Sequence, residues 1–271
     1  MKKIVVAFND FSLPVRVMDC AIEMAALHGA TLVGLFMNSV EPVSGETYPW
    51  PNDINLTDKD FTKKTDTQEK LRLEQSITTL FKNACVDADI PFHIQEVHKN
   101  HLDVLSDQSE FTDMVLMDAR SESSQYSLKT FLTNTRCPVV LVPYSYEKPA
   151  SIIFTYDDTS PDMYAIKAFT YLFTALKHLP VSLVSVVAPN ILGLQYREQI
   201  ESWLMPHYPN ATVDILKGTV KDELTAYINQ QKSPLVVMGA YGRSNLSLLF
   251  KESLANMIVQ NTRAILFMAH D

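Results

Sequence analysis

The residues best suited to chemistry in this chain stand in one stretch, VVMGAYGRSNLSLLFKESLANMIVQNTRAILFMA (236–269), where an apolar run closes on Gly239, with Gly242 and Ser253 following. A glycine that ends a strand lets the backbone approach a ligand, and Gly242 can take the positive φ that aims backbone N–H groups at an anion. Ser253 adds a hydroxyl near the start of a following helix, whose free N–H groups and dipole favour the same charge. Arg243 and Lys251 bring cations to the stretch, whereas Glu252 sets a carboxylate in it. Acids and hydroxyls also close two apolar runs: KIVVAFNDFS (3–12) ends in Asp10 and Ser12, and SIIFTYDDTS (151–160) in Asp157, Asp158 and Thr159. His98 and His101 have a metal-compatible spacing but no third ligand, so a solvated turn is expected there. HExxH, GxSxG, GxGxxG and GxxxxGKS are all absent, and without a cofactor motif or general base we do not expect an enzyme.

These residues sit in a frame that occurs twice. After the pair just quoted, ATLVGLF (30–36) answers VSLVSVV (181–187), DMVLMDARS (113–121) answers PLVVMGAYG (234–242), and CPVVLVPY (137–144) answers RAILFMAH (263–270). Four matches in one order indicate a tandem duplication. We place the first domain at 1–146 and the second at 150–271, joined by a link too short for independent tumbling. The offset between copies shrinks along the chain, so the first carries extra sequence, about 40–67. With its prolines and polar residues it reads as a long loop, bearing Tyr48 and Trp50, ahead of a helix over about 68–86.

The apolar runs are short and rich in Val, Ile and Leu, which suits parallel strands buried on both faces. Between them lie amphipathic helical segments. Residues 15–29 put Val17, Ala21, Ile22, Met24 and Ala25 on one stripe and end at Gly29, a suitable C-cap; residues 163–178 do the same with Ile166, Phe169, Leu172, Phe173 and Leu176. Strand alternating with helix implies an α/β fold of two tandem doubly wound, Rossmann-like domains, each with a five-stranded, mainly parallel sheet.

Composition fits that plan. The 271 residues, 46% apolar, can supply two cores. A net charge of -8 argues against nucleic acid as a partner, since binding phosphates needs a basic face. No apolar run approaches the roughly 20 residues that span a bilayer, and the start leads into a strand, so a cytoplasmic protein without a membrane partner is expected. Cys20, Cys85 and Cys137 are odd in number and outside any CxxC, which suits buried thiols better than disulfides or zinc. Trp203 and Tyr208 suit core or interface packing.

Two five-stranded α/β units, each opening on a strand that ends in D-x-S/T and the second closing around MGAYGRS, resemble a tandem universal stress protein over nearly the whole chain. The resemblance implies a nucleotide loop of the pattern G-x2-G-x9-G-S/T, which Gly239, Gly242 and Ser253 match; Glu252 replaces the third glycine. It also implies that the acid after the first strand holds the adenosine end of ATP. Asp157 is that acid here, with Asp158 as the alternative because the DDT run permits a one-residue shift.

Glu252 opposes a phosphate by its bulk and by its charge. Two like charges about 4 Å apart repel by about 1 kcal/mol in water and about 4 at an effective dielectric near 20. Against a micromolar site worth roughly 8 kcal/mol, that lowers affinity by tens to hundreds of fold. In the first half Asp118, Arg120 and Ser121 stand where the second has Gly239, Tyr241 and Gly242, and no glycine occurs between Gly45 and Gly193, so a glycine cradle cannot form there. The resemblance therefore implies a non-catalytic stress-response protein that acts by association, with ATP binding impaired or absent. The alternative is an ATP-binding sensor with one site in the second half and slow hydrolysis. In such families two units pair through their last strands. The halves are then expected to pair with each other, as a pseudo-two-fold monomer or a homodimer of such chains.

Overall fold

The computed structural model describes residues 1–8, 15–37, 58–98, 101–119, 128–240, 254–255, 257–258 and 260–269. The first half supplies β1 (Lys3–Phe8), α1 (Val15–His28), β2 (Thr31–Met37), α2 (Asp58–Asp87), β3 (Phe92–Val97), α3 (His101–Glu110), β4 (Met114–Asp118), α4 (Leu128–Asn134) and β5 (Val139–Val142). The second supplies β6 (Ser151–Thr155), α5 (Ser160–Leu172), β7 (Val181–Val187), α6 (Arg197–His207), β8 (Thr212–Lys217), α7 (Val220–Gln230), β9 (Pro234–Gly239) and β10 (Ile265–Ala269). As the apolar runs imply, the fold is α/β and doubly wound, with five strands in each half among the described residues.

All ten strands join one sheet in the order β3-β2-β1-β4-β5-β10-β9-β6-β7-β8, which reads the same inward from both edges. Neighbours within a half are parallel. At the centre β5 and β10 are antiparallel, with Leu141 opposite Leu266 and Val140 opposite Phe267. The two halves therefore point their strands in opposite directions. Strand order reverses between β1 and β4 and again between β6 and β9, which places one crevice at the carboxyl ends of each half, on opposite margins of the sheet.

Both faces of the sheet are covered, and each core runs unbroken through the centre. One face carries α1, α2, α5 and α6, whose Met24, Phe81, Phe169 and Leu204 pack over alternate strand residues such as Ile4, Val140, Phe267 and Leu235. The other carries α3, α4 and α7, with Leu105, Phe131 and Leu224 over Val5, Leu141, Leu266 and Val236. Phe169 and Phe173 of the second half meet Phe267 edge-on, and the Phe173 ring also meets His28 of α1. Burying one such phenylalanine is worth about 1.5–3 kcal/mol.

Three local readings change. α2 begins at Asp58, ten residues ahead of its expected start, because neither proline nor glycine falls between Pro51 and Pro91 to stop it. The helix after β6 stops at Leu172 and continues as a 3₁₀ turn over Thr174–Leu176, which still buries Phe173 and Leu176. His101 is buried at the start of α3, so the solvated turn expected there is corrected, while His98 is exposed. Gly29 does close α1, with a φ of 58°. All three cysteines are free thiols, and burial pushes Cys20 and Cys137 up to about 12 and Cys85 up to about 11.

Candidate functional site

The second-half crevice is built by the ends of β6 and β9 and the start of α5. The β6–β9 ladder stops at the Phe154–Val237 pair, and the Thr155 hydroxyl adds one more tie by donating to the Val237 carbonyl at 3.1 Å. Beyond it the chain turns through Tyr156, Asp157, Asp158 and Thr159 into α5, with Pro161 in the first turn fixing φ where no N–H is needed. This sharp return folds the first turn of α5 back over the end of β9.

Gly239 shows how close that return is. A Cβ added to it would stand 2.6 Å from the Pro161 carbonyl carbon and 2.7 Å from the Asp162 nitrogen, both backbone atoms that cannot give way. The glycine is thus required by the protein's own helix. Asp162, 2% exposed, accepts the Gly239 N–H at 2.9 Å through one carboxylate oxygen and the Asp157 N–H at 3.0 Å through the other. One side chain therefore joins the ends of both strands at the point where strand order reverses.

The neighbouring acids are spent in the same way. Asp158 adopts a left-handed φ of 62°, a conformation aspartate tolerates better than most residues. From there its carboxylate accepts the N–H groups of Gln195 and Tyr196, at 2.8 and 3.1 Å, just ahead of α6. Asp157 accepts the Thr159 hydroxyl. Burial, followed by the charges of Asp158, Asp162 and Asp157, holds the Tyr156 hydroxyl above its ordinary pKa, so it stays protonated beside three carboxylates.

Of the sequence-derived candidates, Asp157 and Gly239 come together here, linked through Asp162. Gly242, Arg243 and Ser253 lie outside the described residues, as do Lys251, Glu252, Asp10, Ser12, Tyr48 and Trp50. The sequence does not single out Asp162. Its sequence signal is an acid in the first helical turn, five residues beyond Asp157, and that pattern serves an ordinary helix start equally well.

In the first half the described end of β1 packs among aromatic rings. The Phe8 ring, at the end of β1, stacks on Phe36 with centroids 4.6 Å apart, and Phe81 of α2 meets both edge-on. Gly34 leaves room for those rings: a Cβ there would stand 2.8 Å from Phe81 and 2.9 Å from Phe36. Asp118 ends β4 and is half-buried. Among the described residues no His/Cys/Asp/Glu group could hold a metal ion, and no helix is long and apolar enough to cross a membrane.

No protein-family model matches the chain. Among characterised proteins, a universal stress protein of Synechocystis is 23% identical, over 76% of this chain and 74% of its own. Among solved structures, a universal stress protein from Archaeoglobus fulgidus covers 99% of this chain and 96% of its own with a TM-score of 0.65 at 10% identity. A putative universal stress protein from Pseudomonas aeruginosa covers 100% and 93% with a TM-score of 0.64, also at 10% identity. The structural likeness shows the shared fold, and the sequence match runs across three quarters of the chain: this protein is similar to universal stress proteins and has their fold, as two such units in tandem.

Proposed function

We propose that the chain is a non-catalytic, cytoplasmic stress-response protein that acts by association, and that its capacity to bind ATP is impaired. The two domains, 1–146 and 150–271, pair with each other, and a homodimer is the further assembly; nucleic acid and membranes are not partners. Gly242, Arg243 and Ser253 are what remains of a nucleotide loop around Glu252. The observation that carries this reading is the commitment of the acids after β6. Asp158, one of the two candidates for holding adenosine, already receives two backbone N–H groups, and Asp157 receives the Thr159 hydroxyl. A ligand at these acids would compete with those bonds, and a hydrogen bond to a charged group contributes about 1.5–3 kcal/mol.

Titration calorimetry of the whole chain with ATP, ADP and AMP in magnesium buffer tests the proposal. The expected outcome is no saturable heat at micromolar ligand. Micromolar binding that strengthens with phosphate number would overturn it in favour of the ATP sensor.

A further inference from the structure

We propose that Asp162 is a resident anion: its carboxylate occupies the seat between β6 and β9 that an anionic ligand would otherwise fill, and so keeps the second half permanently in its tied state. The inference rests on the reading of impaired nucleotide binding and names the residue responsible.

Three observations converge on it. The place is the switch point of a doubly wound half, outside the carboxyl ends of the strands, where open α/β sheets take their ligands. The donors are backbone N–H groups from two different strands, Asp157 just past β6 and Gly239 at the end of β9, the type of donor that cradles an anion. The occupant is a carboxylate with both oxygens engaged at 2.9 and 3.0 Å, and at 2% exposure it is shut off from solvent. Gly239, bare where α5 crosses it, is what admits the Asp162 carboxylate, since a Cβ would stand 2.7 Å from its oxygen.

A ligand anion bridging β6 and β9 would make the same two bonds and tie the same two strands. With the bridge supplied internally, the strand ends stay joined whether or not nucleotide is present. Whatever surface this half offers a partner is then independent of nucleotide. Glu252, the departure from the glycine pattern in the sequence, is a separate change, so replacing Glu252 alone does not vacate the seat.

The test is a thermal melt of the full chain with and without magnesium ATP, and with and without inorganic pyrophosphate, for the parent, Asp162→Ser, Asp162→Asn, Glu252→Gly and Phe169→Leu. The parent and Glu252→Gly are expected to melt at the same temperature with and without these anions. Asp162→Ser should melt lower and be partly restored by pyrophosphate and by ATP, with affinity gained by at least about tenfold, the worth of one charge-assisted bond. Asp162→Asn, which keeps the shape and one acceptor, should fall between and covers the case in which the serine variant does not fold. Phe169→Leu, a core change beneath α5, should melt lower without anion-dependent recovery. Hydrogen exchange at the Asp157 and Gly239 amides adds a local readout: slow in the ligand-free parent, and slow in Asp162→Ser only when pyrophosphate is present.

If both Asp162 variants melt lower and neither anion restores them, Asp162 is a structural tie only and the inference fails while impaired binding stands. If the parent itself is stabilised by ATP, the reading of impaired binding fails first and this inference with it.

Discussion

The described strand ends of the two halves share one fold and are packed by opposite means. Among the described residues of the first half, rings pack at the end of β1: Phe8, Phe36 and Phe81 meet there, and Gly34 makes room for them. In the second the strand ends are sealed by polar ties: Asp162 joins β6 to β9, and Asp158 pins the segment ahead of α6. These three rings carry no hydrogen-bond donor, and opening their cluster would expose aromatic surface to water. The polar seal keeps its N–H donors in place, and a single side chain decides whether they face outward. Duplication supplied the same frame twice, and of the two described strand ends it is the second that holds a carboxylate between backbone N–H donors.

The sharpest way to break this contrast is to remove the apolar seal. Phe81 is 1% exposed and touches Phe8, Phe36 and Phe92, so Phe81→Ala should cost about 3–5 kcal/mol, the transfer of a ring plus the cavity left beside Gly34. Urea unfolding measures the loss. Exchange at the Asp157 and Gly239 amides under native conditions should hold at its parent rate, and acceleration there would mean the two seals are not independent.

Next in size is a pair of glycine substitutions that sharpens the contrast. At Gly239 a methyl meets the backbone of Pro161 and Asp162, so Gly239→Ala should cost about 3 kcal/mol and displace the Asp162 carboxylate. At Gly34 the methyl meets ring atoms of Phe81 and Phe36, which can shift, and about 1–2 kcal/mol is expected. Denaturant midpoints of the two variants check the order, and a costlier Gly34→Ala would show that the aromatic cluster is the more rigid seal.

How much of this the sequence announces follows from how local each signal is. Strands such as β1, β5 and β9 are legible because burial on both faces demands unbroken Val, Ile and Leu, and the repeat doubles each signal. The start of α2 is not, because its polar first turns look like loop, and only the lack of a breaker between Pro51 and Pro91 argues otherwise. Gly239 is legible as a place of close approach, but what approaches it is α5. The ties made by Asp158 and Asp162 reach 38 and 77 residues along the chain, and no periodicity records a bond of that span. An aspartate after a strand or in the first turn of a helix has ready local explanations, so its distant partner emerges only when the strands are in place.

The smallest effect tests whether the second seal is electrostatic. Asp158→Asn keeps an acceptor oxygen and a residue that tolerates the φ of 62°, and so removes little besides the negative charge facing the Gln195 and Tyr196 N–H groups. Bonds to an ionised acceptor are roughly twice as strong as neutral ones, and the gain here is discounted because both partners are exposed. A loss of about 0.5–1 kcal/mol is therefore expected. Asp158→Ala also loses the acceptor and places an alanine in the left-handed region, so it should cost about 1 kcal/mol more. Exchange at the amides of Gln195 and Tyr196 reads the difference: modestly faster in the asparagine variant, fully released in the alanine variant, and unchanged in Phe81→Ala. Equal release in both Asp158 variants would show that shape and not charge holds the segment, and the seal of the second half would then differ from that of the first in its atoms but not in its physics.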